Sequence, residues 1–381
     1  MVRRTWDGRS RVGARGPLLY AHAPRAGRVL AARLRGRRPL FVCTIASTDT
    51  ARIPGLSAAG ATPALRELTP AADAEALFYG RARCLHGVPS NPLGPPGPAI
   101  ITIAALRLAR IPFLVVDAGT RVRPQAPVIH LGDRPGACIT TGRAVPHAHE
   151  LVARGRLLGQ QLAHLADYLV LAESVPGGTT TALAVLLALG IDAAGRVSSS
   201  MAENAHALKE ATARAGLAHL APAAVAADPL HAVVAVGDPM QPAVAGLLLG
   251  AVARVPVLLA GGTQMAAVLA LACALAQHAG KRLAPGRVAI ATTRWVLADP
   301  TADLPGLVAP LGPYPVLGTA LSFARSRHLA LRRYEEFLVK EGVGAGGAAV
   351  AAALAAGITP EQLRRAVERV YERLGPEDAG G

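Results

Sequence analysis

The sequence is poor in the residues on which several classes of protein depend. Only 3% of its 381 residues are aromatic, and three of its 40 cationic residues are lysines, namely Lys209, Lys281 and Lys340. Proteins that bind single-stranded nucleic acid stack bases on aromatic rings, so this composition argues against nucleic acid as a partner, in spite of a formal charge of +15.

Cysteine and long apolar runs are also scarce. The four cysteines lie far apart and form no Cys-x-x-Cys pair, which fits neither a disulfide framework nor a zinc site. The most apolar stretch, residues 243–277, is interrupted by Arg254, Pro256 and two adjacent glycines, so it falls short of the ~18 uninterrupted apolar residues of a membrane span. We therefore expect a cytoplasmic protein that has no membrane partner.

The positive charge is concentrated at the start of the chain. Residues 1–38 hold eleven arginines and one acid, and they lack the continuous apolar core of a secretory signal. We expect this segment to be a disordered basic tail. A tail that binds anions and an organelle transit peptide are the alternatives.

The rest of the chain alternates short apolar runs with longer Ala- and Leu-rich stretches. Runs of this length, ended by Gly, Pro, Thr or an acid, are typical of strands buried on both faces of a parallel sheet. The predicted strands are residues 39–46, 111–116, 168–172, 232–236, 256–260 and 288–291, and the predicted crossover helices are residues 181–189, 202–215, 243–253 and 265–278. The alternation predicts an α/β fold with an open, mainly parallel, Rossmann-like sheet and flanking helices.

Two regions fall outside that alternation. Residues 50–100 are rich in Pro and Gly and predict an ordered loop. Residues 326–340 and 359–374 carry charges at helical spacing around apolar residues, which predicts amphipathic helices outside the sheet.

The clearest local motif follows a predicted strand. Residues 173–181 read Glu-Ser-Val-Pro-Gly-Gly-Thr-Thr-Thr and precede an apolar helix. Two glycines allow a close approach to the backbone, and a helix N-terminus offers free N–H groups, so the motif favours a bound phosphate. An ordinary Thr-capped helix is the alternative. A Walker A loop is excluded because no lysine follows the glycines.

A second glycine-rich motif begins at Glu341. Residues 342–347 spell Gly-x-Gly-x-x-Gly, but they follow a charged, helix-like segment and not the strand that a dinucleotide site needs. Glu341 could serve as a general base in apolar surroundings or could be a solvated glutamate that favours the helix dipole. Asp117 stands alone where magnesium diphosphate binding would need a pair of carboxylates, and we expect no metal.

Four segments together resemble one enzyme family. Residues 173–182 resemble, without a gap, the Gly-Glu-Met-Gly-Ile-Gly-Asn-Thr-Thr-Thr-Ala signature of the nicotinate-nucleotide:dimethylbenzimidazole phosphoribosyltransferases. These enzymes attach a phosphoribosyl group to the lower-ligand base of cobalamin. Residues 98–119, 237–262 and 341–349 are similar to further family segments in the same order. The sequences of residues 53–57, 237–242 and 339–347 are most similar to those of the divergent archaeal and cyanobacterial branch of this family.

The resemblance implies a reaction and a set of site residues. A ring nitrogen of an aromatic base attacks the anomeric carbon of nicotinate mononucleotide, nicotinate leaves, and the β configuration inverts to α, with no cofactor or metal. Glu341 takes the place of the catalytic base, and Lys209 is a looser match to a phosphate-contacting lysine. The substrate-binding positions are Glu173, Gly177, Gly178, Thr179, Thr180, Gly261 and Gly262. Gly178 replaces the family's Asn, and the family's Gly-Asp-His-Gly-Val segment has no counterpart.

The resemblance also implies an organisation of the chain. Residues 39–320 are expected to form the α/β phosphoribosyltransferase domain, and residues 321–381 a helical segment that carries Glu341 and completes a small helical domain built from the chain ends. A homodimer is expected. Two other functions stay open, which are a nucleotide-binding or regulatory protein without turnover, and a different nucleotide transferase or hydrolase. The sequence does not identify the acceptor base.

Overall fold

The fold is organised around one sheet. A computed structural model describes residues 16–60, 62–85, 94–199, 201 and 203–374. Over these residues, eight strands form the sheet in the order β1-β8-β7-β6-β5-β2-β3-β4, in which β1 is antiparallel to β8 and all other neighbours are parallel. The strands are β1 Leu18–His22, β2 Pro39–Ala46, β3 Phe113–Gly119, β4 Ile129–His130, β5 Tyr168–Ser174, β6 Val257–Ala260, β7 Val288–Thr292 and β8 Val316–Thr319.

Helices cover both faces of this sheet. In chain order they are α1 Pro24–Leu34, α2 Pro63–Tyr79, α3 Ala99–Ala109, α4 Ala148–Leu162, α5 Gly178–Ala188, α6 His206–Leu217, α7 Pro222–Ala227, α8 Leu230–Val236, α9 Met240–Ala251, α10 Thr263–His278, α11 Arg294–Leu297, α12 Leu304–Val308, α13 Leu329–Arg332, α14 Ala345–Ala356 and α15 Pro360–Leu374. None of the helices described here has the length and apolar character needed to cross a membrane.

The core has two layers because side chains alternate along each strand. On β2, Leu40 and Val42 pack into the layer with α5, α9 and α10, whereas Phe41 and Cys43 pack into the layer with α3, α14 and α15. Strands buried on both faces explain the continuous apolar runs of the sequence. The predicted α/β fold with a mainly parallel sheet is confirmed.

The prediction of a disordered tail over residues 1–38 was wrong for the part that the structure describes. Strand β1 pairs with β8, and helix α1 buries Leu30 and Leu34 to 1% exposure each. These two leucines share one face of α1, with its arginines at other positions, so the arginine content masked a short amphipathic helix. Residues 1–15 lie outside the described residues.

Two further predictions need correction. Residues 63–79 form α2 and not a loop: the Thr62 side chain caps the helix, Pro63 occupies its first turn, and buried alanines outweigh the local cost of Pro70. Residues 232–236 belong to α8 and not to a strand, because a short apolar run fits either element. Asp228 accepts a hydrogen bond from Leu230 N at the first residue of this helix. Residues 86–93, which hold part of the predicted loop, lie outside the described residues.

The C-terminal region holds one of its two predicted helices. Helix α15 matches the prediction for residues 359–374 and packs with α14 against α3. Residues 326–340 are broken into α13 and a short 3-10 turn, which ends where Phe337 takes a φ of +61°. The broken segment leads directly to Glu341.

Candidate active site

A cavity lies beyond the carboxyl ends of the central parallel strands. It holds about 910 Å³ of space, including its open mouth. Segments that follow β5 and β6 form one side, and the segment before α14 forms another. Ligands of open α/β sheets bind at this edge, so the position alone makes the cavity a candidate active site.

The loop after β5 turns sharply into α5. Gly177 has a φ of +78°, and a Cβ there would lie 3.1 Å from the Cα of Ala51. A side chain at this position would therefore be both strained and crowded. Thr179 is half-buried at the cavity wall, next to the first turn of α5. The loop brings backbone and a hydroxyl to the cavity, as the sequence motif predicts.

Glu341 is held at the cavity by four hydrogen bonds. Its Oε2 accepts from Thr292 Oγ1 at 3.0 Å and from Thr293 N at 2.9 Å, and its Oε1 accepts from Gly346 N at 3.1 Å and from Gly342 N at 3.2 Å. Desolvation raises the pKa of Glu341 to about 7, although these bonds oppose the rise. The carboxyl group is thus fixed in position and titrates near neutral pH.

The glycine-rich motif after Glu341 serves packing. A Cβ at Gly347 would lie 2.1 Å from the Cβ of Ala260, so only glycine lets the start of α14 lie against β6. The same close approach brings Gly346 N within reach of Glu341. The motif therefore positions the glutamate.

Two more carboxyl groups line the cavity. Glu173 is 1% exposed, and desolvation, reinforced by repulsion from Asp238 and Glu341, raises its pKa to about 8. Asp73, on α2, accepts a hydrogen bond from Ser174 Oγ at 2.6 Å, and desolvation raises its pKa to about 7. Asp73 was missed because its segment was predicted to be a loop. Only the fold brings it to the end of β5.

Each of these two groups has an oxygen available to a ligand. Glu173 Oε2 accepts from Val175 N at 3.1 Å. Within the described part of the chain, Glu173 Oε1 and Asp73 Oδ1 have no hydrogen-bond partner. Carboxyl groups that keep a proton near pH 7 can both donate and accept, so this wall suits a ligand with mixed hydrogen-bonding groups.

Lys209 does not line the cavity. It is fully buried, and its Nζ donates to Ser198 O at 2.8 Å and to Asn204 Oδ1 at 2.9 Å. Desolvation, followed by repulsion from Lys340, lowers its pKa to about 7. Lys209 thus supports the turn at Ser198, which does line the cavity.

The predicted site residues divide into two groups. Glu173, Gly177, Gly178, Thr179, Gly262 and Glu341 line the cavity, whereas Thr180, Lys209 and Gly261 do not. Thr180 is buried behind the loop, and a Cβ at Gly261 would lie 3.7 Å from Glu173 Oε1, so this glycine flanks the glutamate. Six of the nine predicted site residues thus line one cavity, and the other three lie behind or beside its wall.

Asp117, a single carboxylate near the end of β3, is used within its own turn. It accepts from Gly119 N at 2.9 Å, from Thr120 N at 2.8 Å and from Thr120 Oγ1 at 3.0 Å. Across the described residues, no group of three or more His, Cys, Asp or Glu side chains is arranged to hold a metal ion.

Comparison with known proteins identifies the family. No protein-family model matches the sequence. A UPF0284 protein of Gloeobacter violaceus is 47% identical over 361 residues, which are 93% of this chain and 94% of the relative. A UPF0284 protein of Methanothermobacter thermautotrophicus is 44% identical over 343 residues, which are 89% of this chain and 94% of the relative. The chain belongs to the UPF0284 family.

Solved structures with this fold come from an enzyme family. The UPF0284 chain is similar to nicotinate-nucleotide-dimethylbenzimidazole phosphoribosyltransferase of Thermus thermophilus, with a TM-score of 0.57 and 21% identity over 91% of this chain and 89% of that one. A structure of CobT from the same organism gives a TM-score of 0.56. The fold that the sequence motifs predicted for this UPF0284 chain is therefore confirmed.

Proposed function

We propose that this chain transfers the phosphoribosyl group of nicotinate mononucleotide to an aromatic nitrogen base such as 5,6-dimethylbenzimidazole. The products are an α-linked nucleotide and nicotinate, in the assembly of the cobalamin nucleotide loop. One observation carries the proposal: Glu341 and the Gly177–Gly178–Thr179 loop, which are 162 or more residues apart in the sequence, line the same cavity. The similar solved structures lend support through the shared fold.

The nucleotide phosphate is assigned to the start of α5. At the start of α5, the N–H groups of Gly178 and Thr180 donate to Val175 O and Gly177 O, and within the described residues the N–H of Thr179 has no hydrogen-bond partner. The helix dipole favours negative charge at this end. Gly177 and Gly178 let this turn pack against Ala51 and Gln264 while it lines the cavity, and Thr179 adds a hydroxyl group. Helix α5 runs for eleven residues, long enough for this dipole to matter.

Glu341 is the proposed proton acceptor. When the ring nitrogen of the acceptor base attacks the anomeric carbon, the base loses its N–H proton, and the bond from that carbon to nicotinate breaks. Of the four groups that bond to Glu341, only Thr292 Oγ1 can also accept a hydrogen bond. Protonated Glu341 can therefore donate to Thr292 without leaving a backbone N–H group unpaired. Proton transfer of this kind typically contributes about 10²–10⁴-fold.

The acceptor base is assigned to the wall formed by Asp73 and Glu173. Their free oxygens can bond to the polar edge of the ring, and Leu56, Val296 and Val343 supply apolar contact for its faces. Binding both substrates in one orientation supplies much of the remaining acceleration, since it turns a bimolecular step into an effectively unimolecular one. We also propose that the protein acts in the cytoplasm as a homodimer.

Mass spectrometry tests the proposal. The purified protein is incubated with nicotinate mononucleotide and, separately, with dimethylbenzimidazole, benzimidazole, adenine or no base. We expect nicotinate and a base-linked ribotide to form together, and only when a base is present. Nicotinate release without a base would mean a hydrolase, and binding without any product would mean a regulatory protein.

A further inference from the structure

Most of the ionisable side chains around the cavity are carboxyl groups. They belong to Asp73, Glu173 and Glu341, and Lys340 is the one cationic side chain among the described residues that line the cavity. Lys340 is also 3% exposed, which is rare for a lysine unless its charge has a partner. A ligand with two anionic groups, such as nicotinate mononucleotide, therefore finds one cationic side chain among these lining residues.

The ammonium group of Lys340 has more N–H donors than it has acceptors among the described residues. Its Nζ lies 2.7 Å from Asp299 Oδ2, and the described part of the chain offers it no second acceptor. An ammonium group has three N–H donors, so two are left. The hydroxyl of Ser198 donates to the same Asp299 oxygen at 3.0 Å. Ser198 and Lys340 line the cavity, so Asp299 bonds to both of them from behind its wall.

We propose that Lys340 recognises the carboxylate of the nicotinate ring and so selects nicotinate over nicotinamide nucleotides. The inference rests on the proposed function. Lys340 directly precedes Glu341 in the sequence, and both residues line the cavity. In the nucleotide the nicotinate ring is attached to the anomeric carbon, where the proposed reaction occurs. The phosphate is attached at the far side of the ribose, and the start of α5 accounts for it.

Charge also favours the carboxylate as the ligand. The positive charges of Lys340 and Lys209, which repel each other, are offset by the carboxylates of Asp299 and Glu341, so this position has no net positive charge for a dianionic phosphate. A monoanionic carboxylate needs only one or two donors, and the ammonium group can supply them. A charge-assisted hydrogen bond in a desolvated site is expected to give roughly 10- to 100-fold discrimination.

The test measures ligand preference, not activity alone. Calorimetry gives the affinity of the wild-type protein and of Lys340→Met for nicotinate, nicotinamide, nicotinate mononucleotide, nicotinamide mononucleotide and nicotinate riboside. Lys340→Met combined with Asp299→Asn removes both charges of the pair, so that no buried charge is left unpaired. Lys281→Met, at an exposed lysine, is the matched control.

We expect the wild-type protein and Lys281→Met to prefer nicotinate over nicotinamide, both as free rings and as mononucleotides. Lys340→Met and the double variant should lose that preference by roughly 10- to 100-fold and keep their affinity for nicotinamide mononucleotide. Equal weakening of both mononucleotides with the riboside unaffected would assign Lys340 to the phosphate and overturn the inference. Equal weakening of all ligands, or a wild-type protein without the preference, would overturn it too. A wild-type protein that has the preference but makes no product would refute the proposed function alone.

Discussion

The buried carboxyl groups make the stability of the protein depend on pH, and Glu173 offers the sharpest test. Its pKa is about 8 in the folded protein and about 4.5 in a solvated glutamate. The folded state therefore holds this proton more tightly than the unfolded state does. The contribution to stability is complete below about pH 4 and is lost as the pH rises toward 8.

Linkage converts these two pKa values into an energy. Between pH 5 and pH 8, Glu173 is expected to cost about 3 kcal/mol of folding free energy. Glu173→Gln keeps the shape and an acceptor for Val175 N but cannot ionise. The variant should therefore match the wild-type protein near pH 5 to within about 1 kcal/mol and exceed it by a few kcal/mol at pH 8.

Urea denaturation at pH 5 and pH 8 measures this difference. Because the comparison is between two proteins at each pH, contributions from titrating groups that do not interact with Glu173 cancel. Glu336→Gln is the control, since Glu336 is exposed and is not among the residues that line the cavity. If Glu173→Gln showed the same change in stability between the two pH values as the wild-type protein, Glu173 would not be a protonated, desolvated group and the electrostatic account of the cavity would fail.

Three other predictions test the fold, the loop and the chemistry. Leu30→Ala should lower the free energy of unfolding by about 2–5 kcal/mol, whereas Val29→Ala, at a neighbouring side chain that is 72% exposed, should change it by less than about 0.5 kcal/mol; equal effects would mean that α1 is not packed. Gly177→Ala should weaken nicotinate mononucleotide binding roughly tenfold, whereas Gly190→Ala, at a similar φ but with no neighbour within 4 Å, should not; normal calorimetric binding by a folded Gly177→Ala protein would move the phosphate elsewhere. EDTA should leave the rate of nicotinate release unchanged, because the oxygens of Asp117 are used within its turn; a loss restored by magnesium would indicate a diphosphate-dependent enzyme.

The central strands and the loop after β5 could be predicted from the sequence because their signals are local. Strand β2 is buried along its whole length, so its apolar run has the bounds of the strand. The glycines and threonines after Glu173 stand together in the sequence, and the positive φ of Gly177 is a requirement that glycine alone meets easily. Periodicity and turn chemistry are enough for such elements.

Other features depend on contacts between distant parts of the chain. Asp73 reaches the cavity only because α2 packs near β5, and the ion pair of Lys340 joins residues 41 positions apart. Strand β1 is short and lies at the sheet edge, where pairing with β8 and not its own sequence fixes it. Lys209 is the opposite case. A resemblance matched it to a phosphate-contacting lysine, and in the structure its Nζ donates to Ser198 O from behind the cavity wall.

The central claim is tested most directly by the rate at which nicotinate is released from nicotinate mononucleotide in the presence of an acceptor base. This rate is compared between the wild-type protein and Glu341→Gln. Gln keeps the shape of the side chain and removes the proton acceptor, so we predict a loss of about 10²-fold or more with nucleotide affinity retained. The control Glu336→Gln should release nicotinate at the wild-type rate. Wild-type turnover by Glu341→Gln would contradict the assignment of Glu341 as the proton acceptor, and no base-dependent release by the wild-type protein would contradict the proposed function itself.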